Sequence, residues 1–126
     1  AHDLGFTQFL IENDQVDSEK LEGFLAANID GSTPTLIFAP NCWALPEIYK
    51  CCKAYYPLMP NTVGLLGFDN TEWVNVASPS VSVVEQPARE EGQTAARILL
   101  DLIAEKEQVE THQVLDCSIN WNESTL

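Results

Sequence analysis

The run Val63-Gly64-Leu65-Leu66-Gly67-Phe68-Asp69-Asn70 constrains the fold of this chain more than any other stretch. Its apolar residues are continuous rather than alternating, the pattern of a strand covered on both faces by helices. The chain then turns polar at Asp69-Asn70-Thr71-Glu72. In sheets of this kind ligands bind at the carboxyl ends of the strands. A carboxylate at such an end accepts hydrogen bonds from a polyhydroxylated or cationic ligand. Aspartate is also a preferred helix N-cap, so the residues alone leave Asp69 two readings, ligand acceptor or cap of the next helix.

The rest of the chain alternates short apolar runs with helical periodicity. Gln8 to Glu12 is expected to be a strand. Asp17-Ser18 opens a helix with Leu21, Phe24, Leu25 and Ile29 at helical spacing, and Gly31-Ser32-Thr33-Pro34 ends it. Thr35 to Ala39 is a second buried strand, followed by a helix from Trp43 to Ala54. A short helix near Thr71 to Val76 and a strand from Ser80 to Glu85 come after the Asp69 strand. Pro87 suits the first turn of a long helix from Ala88 to Glu105, in which Ala95, Leu99, Leu102 and Ile103 form an apolar stripe. A last strand is expected from Gln113 to Ile119. Gly64 and Gly67, inside a strand, are read as positions of close packing.

Strands alternating with helices predict an α/β fold, a mainly parallel sheet with helices on both faces. Right-handed crossovers gather the strand-to-helix loops at one edge. The loops so gathered are 13–17, 39–43, 69–72 and 85–88.

Charge and cysteine usage narrow the function. With 19 acidic and 6 basic residues the chain carries a net charge of −13. Nucleic-acid binding needs clustered Lys and Arg, and no such cluster is present, so this segment is expected to contact neither nucleic acid nor an anionic membrane. No apolar run approaches the ~20 residues of a membrane span. The opening Ala1-His2-Asp3-Leu4-Gly5 does not read as a signal peptide. Cys42, Cys51, Cys52 and Cys117 show no C-x-x-C spacing, and the only histidines are His2 and His112. Reduced, packed thiols in the cytoplasm are expected, with no metal and no cofactor.

Catalytic signatures are missing as well. No phosphate-cradling glycine loop, dinucleotide fingerprint or Gly-x-Ser-x-Gly elbow appears, and two histidines at positions 2 and 112 make no nucleophile–base set. The chain is therefore expected not to be an enzyme.

Val63 to Pro87, VGLLGFDNTEWVNVASPSVSVVEQP, closely resembles a signature of the LacI/GalR family of transcriptional regulators. That signature is a buried strand ending Gly-Phe/Tyr-Asp-Asp/Asn, a short helix, a strand of the Pro-x-Leu-Thr-Thr-Val type, then Gln-Pro. The helix Glu91 to Leu100 resembles the family's next helix, and Cys117 to Thr125 resembles its last strand, usually ending Arg-Glu-Ser-Thr. Phe38 to Leu45 is similar to the family's Ala-Asn-Asp-x-Met-Ala-Leu segment.

The resemblance implies a periplasmic-binding-protein-like lobe, residues 1–126 forming the C-terminal part of an effector-binding domain. The DNA-binding head and most of the first lobe would lie elsewhere in the parent protein. Residues 86–105 would belong mostly to that other lobe. The implied partners are a small-molecule effector, a sugar, and a second copy in a homodimer. Asp69 matches the family's effector-binding Asp. Gln86 falls at the strand crossing. An ungapped match puts Pro40 on the ligand-binding Asn, and a one-residue shift puts Asn41 there instead. His2 to Phe6 can be set against the family's Arg-x-x-Gly-Phe. Trp73, near the mouth, is either a stacking platform for a sugar ring or buried beneath its short helix. Trp43 is read as core or subunit interface. Two further functions fit the same fold, a sugar-binding protein of a transport system and a protein-interaction regulator without a small effector. The apolar stripe of the long helix is expected either to dock on this lobe or to be buried in a dimer.

Overall fold

The computed structural model describes residues 5–126. The match of the His2 segment to the Arg-x-x-Gly-Phe helix thus begins outside the described residues. The elements, in order, are α1 (Ser18–Asn28), β1 (Thr35–Phe38), α2 (Leu45–Cys51), a 3₁₀ helix (Cys52–Leu58), β2 (Val63–Phe68), α3 (Glu72–Val76), β3 (Ser82–Glu85), α4 (Ala88–Ile103) and β4 (Ser118–Asn120). They form one four-stranded sheet in the order β1-β2-β3-β4. β1, β2 and β3 are parallel, and β4 runs antiparallel to β3 along the edge.

Each helix begins for a local reason. At α1 the side chain of Asp17 accepts the Lys20 N–H at 3.1 Å. Leu21 and Leu25 then face the core, with Ile29 just beyond them. The turn leading to β1 is organised by Asp30, whose carboxylate accepts the backbone N–H groups of Thr33 at 2.7 Å and Ser32 at 2.8 Å. Those bonds, Thr33 first, hold its pKa down to about 2. Because the folded value lies below the unfolded one, the stabilisation is present above pH ~4 and is lost as pH falls through about 2. NMR titration of Asp30 is expected to give a midpoint near 2. A midpoint near 4 would show that the turn does not form in solution.

Register decides what each face of the sheet holds. Ile37 pairs with Leu65, and Gly67 with Val83, so these residues share one face. Against it pack Leu45, Ile48, Leu21, Leu25 and Val74, which places α1, α2 and α3 in a single helical layer. Gly67 has no side chain because Leu45 fills the space. A Cβ there would collide with a Leu45 methyl and press on Val83 Cγ1 at 3.2 Å. Leu45 is 1% exposed and has no room to retreat. Gly67→Ala is expected to cost about 1–3 kcal/mol through overpacking. Urea denaturation measures it, and a loss under 0.5 kcal/mol would show that Leu45 is free to move.

The mainly parallel α/β sheet expected from the sequence is present. The described helices that pack on it gather on one face rather than two. On the other face Leu36 and Phe38 remain 59% and 51% exposed, and the C-terminal tail covers only a strip. There β3 pairs with β2 only from Leu66 onward, so the amino-terminal half of β2 has no β3 partner. The tail fills that gap. The Leu65 N–H donates to Ser124 O at 3.1 Å, and the Ser124 N–H donates to Ser80 O at 2.9 Å. The Ser124 hydroxyl donates to Leu65 O at 2.6 Å and accepts the Ser82 N–H at 2.8 Å. Ser82 and Ser124 are both fully buried.

Several sequence expectations are corrected. Residues 8–12 form no strand; only an isolated bridge joins Glu12 and Gln15. Phe9 instead packs on Phe24, ring centroids 5.4 Å apart. The helix expected from Trp43 to Ala54 starts at Leu45, with Pro46 in its first turn, and tightens into the 3₁₀ segment that contains Pro57. The last strand is three residues long and begins at Ser118 rather than Gln113. Trp43 is half exposed instead of lying in the core. The stripe of α4 does not dock on this lobe: Leu99, Leu102 and Ile103 stay exposed, and Thr94 is the only residue of α4 that is buried. No described helix is long and apolar enough to cross a membrane.

Candidate functional site

Because β1, β2 and β3 are parallel, their carboxyl ends share one edge of the sheet. The loops 39–43, 69–72 and 85–88 leave from that edge. Asp69 is the first residue past β2. It sits in the left-handed region at φ 68°, which costs an ordinary residue ~1–2 kcal/mol but is more tolerable for Asp. Its N–H donates to Val84 O at 2.8 Å, closing the β2–β3 ladder, and the chain turns away immediately afterwards. Its carboxylate accepts the Gln86 side-chain amide at 2.7 Å. Position 71, not 69, is the N-cap of α3. The capping reading of Asp69 therefore falls away: its side chain is directed across the strand ends to the β3–α4 crossing.

Two of the four residues singled out from the sequence, Asp69 and Gln86, are thus brought into contact. Asn41 is on the neighbouring loop after β1, with its side chain exposed and its carbonyl accepting the Leu45 N–H. Trp73 stands in the helical layer, part-buried, edge-on to Tyr49 with centroids 5.6 Å apart. Tyr49 in turn stacks on Tyr56 at 4.8 Å and donates to Pro79 O at 3.1 Å. Burial raises the Tyr56 hydroxyl well above its usual pKa, and the adjacent Tyr49 side chain adds to the effect. This aromatic cluster anchors α3 and so the loop that carries Asp69.

An open hollow of about 630 Å³ lies on the α4 side of Gln86, lined among others by Glu85, Arg89, Gln93, Thr94 and Arg97. Asp69 does not line it directly and adjoins it through Gln86. One more pair was not visible in the sequence. Asn70 donates to Glu85 at 3.1 Å, beside the Asp69–Gln86 bond and across the same two strand ends.

Among the described residues no group of three His, Cys, Asp or Glu side chains is arranged to hold a metal ion. The four cysteines are free. Burial pushes the Cys52 thiol up to about 12, which removes it as a nucleophile near neutral pH.

Residues 2–125 match the family of periplasmic binding protein-like domains. The chain belongs to the periplasmic binding protein-like family. It is 34% identical over 89 residues to EndR of Paenibacillus polymyxa, described as an HTH-type transcriptional regulator; the match takes in 71% of this chain and 26% of EndR. Among solved structures, a transcription regulator from Staphylococcus saprophyticus superposes with a TM-score of 0.66 at 27% identity, covering 85% of this chain and 36% of that one. A LacI family regulator from Arthrobacter sp. FB24, in complex with lactose, gives a TM-score of 0.68 at 22% identity, covering 86% and 41%. The chain spans about a quarter of the length of the curated relative.

Proposed function

We propose that this chain is the effector-binding portion of a LacI-type transcriptional regulator that responds to a sugar. The observation that carries the reading is Asp69: a carboxylate at the carboxyl edge of a parallel sheet, held in a left-handed turn and engaged by an amide from the β3–α4 crossing. A carboxylate so placed can accept two sugar hydroxyls; Gln86 supplies an amide beside it, and Asn41 offers a second from the loop after β1. The resemblance to regulators, and the lactose bound by the Arthrobacter protein, support the same choice.

In this reading α4 and its exposed stripe pack on a second lobe, and the hollow beside Gln86 is one wall of the cleft between lobes. The effector binds the closed arrangement more tightly and shifts the population toward it, which changes the spacing of two DNA-binding heads in a dimer. The protein works in the cytoplasm and carries out no chemistry on its ligand. Trp73 serves by holding α3 in place rather than by stacking on the ring.

Calorimetry of this chain together with the flanking sequence its gene encodes, titrated with ribose, xylose, galactose, lactose and cellobiose, tests the proposal. A saturable heat for at least one sugar is expected. No heat with any of them, together with stoichiometric retention of a protein from cell extract, would favour a domain regulated by protein contact instead.

A further inference from the structure

The contact between Asp69 and Gln86 is one half of a reciprocal arrangement. Residues 69 and 70 follow β2, while residue 85 ends β3 and residue 86 follows it. The β2 side offers a carboxylate and then an amide; the β3 side offers a carboxylate and then an amide. They join crosswise, the Gln86 amide to the Asp69 carboxylate at 2.7 Å and the Asn70 amide to the Glu85 carboxylate at 3.1 Å. Between the two bonds lies the last rung of the ladder, the Asp69 N–H donating to Val84 O. Asn70 is tied a second time, its carbonyl oxygen accepting the Asn75 amide of α3 at 3.0 Å.

We infer that Asn70 and Glu85 are positioning residues for Asp69. Left to itself a left-handed turn at a residue with a β-carbon is disfavoured, and the backbone would relax by rotating residue 69. The Asn70–Glu85 bond fixes the residue that follows the turn against the neighbouring strand. Rotation at 69 would carry Asn70 away from Glu85 and break that bond, and the loosened turn would let the final ladder rung beside it fray. The carboxylate of Asp69 is thereby kept aimed at the crossing, with its direction set before any ligand arrives. Both pairs are charge-assisted, and each ties β2 to β3 at the edge where the loops separate. Glu85 also lines the hollow beside α4, so the same side chain links the turn to the wall of that space.

The inference rests on the effector-site reading only for its affinity arm. Asn70→Asp sets two carboxylates against each other and removes the donor. Adding Glu85→Gln restores a donor–acceptor pair with the partners exchanged and the net charge of the native protein. In the 126-residue chain, hydrogen exchange at the Asp69 amide is expected to rise about tenfold in Asn70→Asp and to return to within twofold of native in the double variant. In the longer chain, affinity for whichever sugar of the panel binds is expected to fall about threefold to tenfold and to recover with the exchange, with the melting temperature of both variants near native. Unchanged Asp69 exchange in Asn70→Asp, or failure of the double variant to restore it, overturns the positioning role. If exchange follows the swap and no sugar binds the native protein, the brace stands and the sugar reading fails.

Discussion

Replacing Ser124 by alanine is expected to destabilise the fold by about 2–5 kcal/mol. The Ser124 hydroxyl donates to Leu65 O at 2.6 Å and accepts the Ser82 N–H at 2.8 Å. Both of those backbone groups belong to fully buried residues. Removing one oxygen orphans a donor and an acceptor, each at about 1–3 kcal/mol, and leaves a small void. The net stability of a domain this size is typically about 5–15 kcal/mol, so the loss is a large fraction of it. Chemical denaturation should show a lower midpoint with little change in slope. Ser118→Ala, at an exposed position of β4, serves as the control and should stay within about 0.5 kcal/mol. A Ser124→Ala protein as stable as that control would mean that the tail does not complete the sheet between β2 and β3.

The second large effect is on binding. Asp69→Ala is expected to weaken the effector by about 2–4 kcal/mol, or roughly thirtyfold to several-hundredfold, because a charged acceptor in a closed cleft is lost. Alanine also fits the left-handed turn poorly. Asp69→Asn separates the two causes, since asparagine tolerates that backbone and keeps one carbonyl oxygen. It should retain native stability and lose about tenfold in affinity. Equal loss in both variants would point to the carboxylate charge rather than the turn, and no loss in either would remove Asp69 from the site.

How far the sequence revealed this arrangement depends on the range of the interactions involved. β2 and its terminal carboxylate are legible because a continuous apolar run ending in Asp-Asn needs no knowledge of the rest of the chain. α1 is legible for the same reason, its Asp17 cap and the Leu21–Leu25–Ile29 spacing being local. The segment 8–12 has an apolar composition equally suited to a strand. It lacks a strand to pair with, and β-structure is decided by partners rather than by propensity. The antiparallel direction of β4 and the wedge made by Ser124 depend on residues some 40 to 60 positions apart, out of reach of any local pattern. The Asn70–Glu85 bond is hidden likewise, because it follows from the parallel register of β2 and β3. The single helical layer differs from the two covered faces that the sequence suggests. An apolar run such as Thr35 to Ala39 reports what a strand can bury, not what is present to bury it.

A crystal structure of the longer chain with its sugar tests the central claim most directly. An Asp69 carboxylate oxygen is expected within hydrogen-bonding distance, about 2.5–3.0 Å, of a sugar hydroxyl at the carboxyl edge of the sheet. A sugar bound elsewhere, with the Asp69 carboxylate making no contact to it, would contradict the account.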